Sequence, residues 1–135
     1  MERLFNQDCD PRQLSPLTLA FIGDCVYELF VRERLVCAAN CPVQQLHNQS
    51  VAQVRCGAQS KAIEKLMDQL TEEEISVYKR GRNAKSTAPK NASIADYHAA
   101  TGLEALFGYL YLQGNIQRLR DLFRQICDES DEMLQ

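Results

Sequence analysis

Two long apolar runs dictate most of what this chain can become: LAFIGDCVYELF at 19–30 and ATGLEALFGYLYL at 100–112. Each is paced like a helix, and each holds an isolated carboxylate. Asp24 is the only full charge between Arg12 and Glu28, and Glu104 is the only one between Asp96 and Arg118. An ionised carboxylate in such surroundings is costly unless a cation, a hydrogen-bond network or water compensates it. On the first run, Asp24 and Glu28 stand four residues apart and share a face. On the second, Gly102 and Gly108 lower helix propensity and point to close approach by a neighbouring helix. If the two helices pack together, Asp24 and Glu104 converge, and a few hard oxygen ligands with room for water suit Mg²⁺. The competing reading is a pair of unrelated acids at a solvent-facing edge, or acids bonded to Tyr or Arg.

The rest of the chain is also paced like helices, and the expected fold is all-α. Ser15-Pro16 forms an N-cap followed by proline at the first helical position. That helix is expected to run to about Ala39, because Pro42 disfavours helical geometry at Cys41. Its apolar residues (Leu19, Phe21, Ile22, Val26, Leu29, Phe30) surround the axis, which predicts a helix buried nearly all round. One or two helices are expected between Pro42 and Leu70, with an interruption near Gly57. Thr71-Glu72-Glu73-Glu74 reads as a capping box opening a helix that ends near Arg80. Residues 81–92 lack apolar periodicity and read as a long loop, functional or mobile. Ser93 caps the next helix, which stops at Gly114. An amphipathic helix from Ile116 to about Ile126 leads into an acidic tail at about 127–135. A short lead at 1–14 and these helices are expected to form a single domain over 1–135.

Apolar residues make up 45% and charged residues 24% of the 135, a globular composition. No apolar run approaches the roughly 18 residues that span a bilayer. The start, MERLFNQDCDPRQ, lacks a basic-then-apolar signal, so the expected location is cytoplasmic. Six cysteines in that setting read as reduced thiols, with Cys25 and Cys56 as small core residues. Cys37, Cys41 and His47 have poor spacing for a structural zinc. His47 and His98 read as packing or surface residues. The net charge of −3 excludes a chain that is basic throughout. Nevertheless, Lys79 to Lys90 holds five bases and no acid, a local docking patch for a polyanion. Its candidate contacts are Lys79, Arg80, Arg82, Asn83, Lys85 and Lys90.

These residues also carry a resemblance. LAFIGDCVYELFVRERL resembles the signature helix of the ribonuclease III family, and GLEALFGYLYLQGN resembles the second acidic helix of its catalytic domain. The run YKRGRNAKSTAPKN resembles the loop of the Mini-ribonuclease III branch, bacterial and plastid proteins that consist of the catalytic domain without a double-stranded-RNA-binding domain. The likeness runs from about Leu14 to Phe123. It implies a homodimer with an RNA-binding valley across its interface. It further implies Mg²⁺-dependent hydrolysis of double-stranded RNA, with Mn²⁺ able to substitute, leaving 5′-phosphate and 3′-hydroxyl ends. Within that branch the implied substrate is the precursor of large-subunit (23S) ribosomal RNA, in the cytoplasm or the plastid stroma. The family's catalytic, metal-binding aspartate falls on Asp24 and its glutamate on Glu104. Two further acids of larger members match Ala20 and Thr101 here, so extra waters would complete the metal's shell. Glu28 either positions a water as an outer partner or pairs with Arg32.

Two other readings remain. The missing acids at Ala20 and Thr101 favour a catalytically silent RNA-binding dimer acting in ribosome assembly, although such a scaffold has no need of buried carboxylates. A metal-dependent nucleotide hydrolase would place its acids in ExxE pairs, and the one comparable stretch, Glu72 to Glu74, serves as a helix start.

Overall fold

The computed structural model describes residues 3–134, with side chains through residue 127. Its order is α1 (Pro16–Ala38), α2 (Val43–Val54), α3 (Cys56–Leu66), α4 (Glu72–Arg82), α5 (Ile94–Leu112) and α6 (Ile116–Leu134), with 3₁₀ turns at Pro11–Gln13 and Met67–Gln69. There is no strand among the described residues. The local stop and start chemistry is as expected. Ser15 accepts a hydrogen bond from the Thr18 amide at 3.3 Å, with Pro16 at the first helical position. Thr71 and Glu74 form the reciprocal capping box. Gly114 takes a positive φ of 76°. The Asn115 amide reaches back to the Leu110 carbonyl at 2.9 Å, which closes α5 through a left-handed residue that glycine adopts without strain.

α5 is the central element, in contact with α1, α3, α4 and α6. Leu103, Leu106, Phe107 and Leu110 along it are fully buried. Phe107 and Phe123 pack against Tyr27 and Phe30 from α1, with ring centroids 5.0–6.2 Å apart. Burial of each such side chain stabilises the fold by about 1.5–3 kcal/mol. A smaller cluster of Leu19, Ala20, Val77, Ala105 and Tyr109 ties α1 and α4 to the other side of α5.

Several boundaries and burials differ from the sequence expectation. The break before α3 falls at Arg55, whose ψ of 152° is extended, whereas Gly57 lies in the first turn of α3. A Cβ at Gly57 would meet only Asp96 at 3.7 Å, so that glycine does not mark the turn. α4 continues two residues past Arg80, which shortens the loop to 83–93. α6 runs to Leu134 instead of ending near Ile126. The side chains of the acidic stretch expected at 127–135 lie, beyond Cys127, outside the described residues.

α1 is not buried all round. Its buried line is Leu19, Gly23, Tyr27, Val31 and Leu35, an i, i+4 stripe facing α5, while Leu17, Phe21, Leu29 and Val36 face outward. Phe21 is 80% exposed. Cys25, one residue past Asp24, is exposed and Cys56 is half-buried, so neither is a core residue; Cys127 is buried instead.

Candidate active site

The acidic pair is built on glycine. A methyl at Gly23 would overlap the carbonyl oxygen of Glu104, and one at Gly108 would overlap that of Leu19. α1 and α5 therefore meet backbone to backbone at Gly108, as that glycine of the second run suggests, whereas Gly102 admits Tyr78 of α4. The residue after Gly23 is Asp24, and the carbonyl beneath it belongs to Glu104. Close helix contact thus sets the two acids side by side, within hydrogen-bonding reach of each other. Asp24 is exposed, and Glu104 is half-buried. Burial, followed by the hydrogen bond and charge of Asp24, pushes the Glu104 carboxyl up to about 8. Neither acid has an ion pair among the described residues.

A third side chain reaches the pair. Gln59 of α3, 1% exposed, lies against Glu104 and draws its pKa the other way. Its Nε2 is buried without a well-formed hydrogen bond. A buried donor left in that state costs about 1–3 kcal/mol. The sequence reading missed Gln59. The signal was an amide at the head of the stripe Gln59, Ala62, Ile63, Leu66, whose other members are core residues.

The positions matching the additional family acids are closed. Ala20 is buried, and Thr101 is buried with its hydroxyl donating to the Tyr97 carbonyl at 3.0 Å. Glu28 pairs with Arg32 at 3.1 Å, the structural alternative left open by the sequence. No group of three or more His, Cys, Asp or Glu side chains able to enclose a metal occurs among the described residues. The donor set is therefore two carboxylates, which fits a hydrated hard cation and not a closed protein cage. Cys37 and His47 are exposed and Cys41 half-buried. The acids of Glu72 to Glu74 serve the fold: Glu74 binds Arg118 through two bonds of 2.8 Å, and Tyr109 donates its hydroxyl to Glu73.

The basic residues cluster at the end of α4. Gly81 packs against Thr101, Gly102 and Ala105, where an added Cβ would stand 2.7 Å from that of Ala105. Arg80 and Arg82 flank this contact, so the basic end abuts the turn of α5 that leads into Glu104. Lys79 and Arg80 line an open depression with Asn83. Arg82 stacks over the Tyr78 ring at 5.5 Å. A second depression is lined by residues 82–87 and His98. There, Ser86 Oγ and His98 Nδ1 are buried without partners. Lys85 and Lys90 are exposed.

An all-helical scaffold with two facing acids and an adjoining basic end is suited to a hydrolase acting on a polyanion. Residues 17–115 match the model of the Ribonuclease III domain, and the chain belongs to the ribonuclease III family. It is accordingly an endoribonuclease, a hydrolase. It is 48% identical over 120 residues to a Mini-ribonuclease 3 of Thermoanaerobacter, covering 86% of this chain and 84% of that one. Mini-ribonuclease 3 of Symbiobacterium thermophilum is 48% identical over 88% of this chain and 92% of its own. A crystal structure of a Fusobacterium nucleatum protein superposes with a TM-score of 0.81 at 29% identity, covering 91% of this chain and 99% of that one.

Proposed function

We propose that this chain is a Mg²⁺-dependent endoribonuclease acting on double-stranded RNA, with Asp24 and Glu104 as its catalytic, metal-holding pair. The observation that carries the reading is the meeting of two acids, neither with an ion pair among the described residues, over the Gly23–Glu104 contact. When bound, Mg²⁺ supplies Lewis acidity toward a phosphoryl oxygen and acidifies water. Asp24 offers oxygen from the open face of α1 and Glu104 from the half-buried face of α5. Lys79, Arg80, Arg82, Asn83, Lys85 and Lys90 gather the phosphates of the duplex. Hydrolysis adds water across the P–O3′ bond and leaves a 5′-phosphate and a 3′-hydroxyl.

The exposed apolar residues of α1, Leu17, Phe21, Leu29 and Val36, support a homodimer that repeats the site and the basic end. The resemblance to the Mini-ribonuclease III branch supports precursor large-subunit ribosomal RNA as the substrate and the cytoplasm as the location. No helix among the described residues is long and apolar enough to cross a membrane.

The test is incubation of duplex and single-stranded RNA, each with Mg²⁺ and with EDTA. Scission of the duplex alone, abolished by EDTA, is expected. Scission in EDTA overturns the metal assignment, and duplex binding without scission selects the catalytically silent dimer. Replacing Arg80, Arg82, Lys85 and Lys90 by alanine should flatten the salt dependence of binding by about 0.9 per lost phosphate contact, using the B-DNA value. An unchanged slope moves the RNA site elsewhere. Phe21→Asp should shift sedimentation from dimer to monomer, whereas Phe107→Ala, in the core, should cost about 3–5 kcal/mol of stability.

A further inference from the structure

We infer that Gln59 is a positioning residue of the acidic pair, its side-chain amide holding the Glu104 carboxylate so that an oxygen faces a divalent cation shared with Asp24. The inference rests on the metal reading of that pair. Three observations carry it. Gln59 belongs to the packed face of α3 with Ala62, Ile63 and Leu66, where an apolar side chain would serve packing better. It is 1% exposed, yet its Nε2 lacks a well-formed hydrogen bond, a state that few buried polar groups show. The carboxyl group beside it is that of Glu104, on the neighbouring α5.

The chemistry of an amide suits this place. Its NH₂ group donates to a carboxylate and favours the ionised, metal-binding form. Being neutral, it neither cancels the pair's negative charge nor repels an incoming cation, as lysine or arginine would. Outer partners that orient metal-binding carboxylates typically change metal affinity by 10- to 100-fold.

The experiment is calorimetric titration of Mn²⁺ into the metal-free wild-type protein, Gln59→Met, Gln59→Asn and Asp24→Asn, with thermal unfolding of each without metal. Methionine matches the length of glutamine without the amide. Gln59→Met is therefore expected to melt no lower than wild type while its Mn²⁺ Kd rises about 10- to 100-fold. Asparagine keeps the amide but falls one methylene short, so an intermediate Kd is expected. The Mn²⁺ concentration giving half-maximal cleavage should rise in the same order. Wild-type Kd values in folded Gln59→Met or Gln59→Asn overturn the role of Gln59, while the pair's metal reading stands if Asp24→Asn has lost binding. Failure of the wild-type protein to bind Mn²⁺ overturns both.

Discussion

Glu74 and Glu104 are both carboxylates taken largely out of water on helices that pack together, and they end in opposite electrostatic states. Burial alone would lift Glu74, but the hydrogen bonds and charge of Arg118 and the Thr71 amide outweigh it and hold its carboxyl below the usual range. Glu104 meets Asp24 instead, and its carboxyl is pushed up to about 8. The sign of the partner separates them. A buried acid that the fold has already matched with a guanidinium is part of the scaffold. An acid set against another acid is a destabilised arrangement that a cation would relieve.

The sharpest test exchanges each acid for its amide. Asp24→Asn and Glu104→Gln are expected to lower cleavage of duplex RNA by about a thousandfold or more, because each removes a charged oxygen from the proposed metal-holding pair. Thermal unfolding of Glu104→Gln should match or exceed that of wild type. Near-normal cleavage by either variant breaks the contrast.

Glu74→Gln should do the reverse. It strands Arg118 and is expected to cost about 2–3 kcal/mol in urea denaturation, with cleavage per folded molecule unchanged.

The two sites should also give stability slopes of opposite sign. Native Glu104 keeps a proton that the unfolded chain releases near pH 4.5, so its contribution is lost as pH rises from there to about 8. The contribution of Glu74 is present above its unfolded value and is lost as pH falls through its lowered native value. Metal-free unfolding followed against pH should show both slopes, and Glu104→Gln should remove the first. Cation affinity should then rise by about tenfold per pH unit below pH 8, with proton release visible in calorimetry. The smallest effect is expected for Tyr109→Phe, which loses the bond to Glu73: about 1 kcal/mol of stability and no change in cleavage.

Much of this architecture is legible from local chemistry. Ser15, Thr71, Ser93 and Gly114 end or begin helices through their own backbone neighbours, so their positions need no tertiary information. The convergence of Asp24 and Glu104 is also foreshadowed, since each run holds an isolated acid and the glycines of the second suggest close contact. What composition cannot convey is which chain covers an apolar residue. Phe21 looked like core by its neighbours in sequence, but it lies on the face of α1 turned away from α5. Cys25 was misplaced for the same reason. Gln59 escaped notice because an uncharged amide causes no break in periodicity, and its significance appears only when α3 lies beside Glu104. α6 extends past Ile126 although acids at a helix C-terminus oppose the macrodipole, a cost of about tenths of a kcal/mol that need not halt a helix.

The seat of Gly23 on the Glu104 carbonyl gives the gap between the helices beneath the two acids the stiffness of peptide backbone. Exchanging side chains in the core can loosen or tighten the bundle without resizing that gap. Sliding one helix against the other by less than a full turn would drive a Cβ into a carbonyl, so the register of the two helices has no graded series of misalignments to sample. Substitutions at the rim leave that backbone contact untouched, while the pairing of the two acids persists or disappears together with the fold.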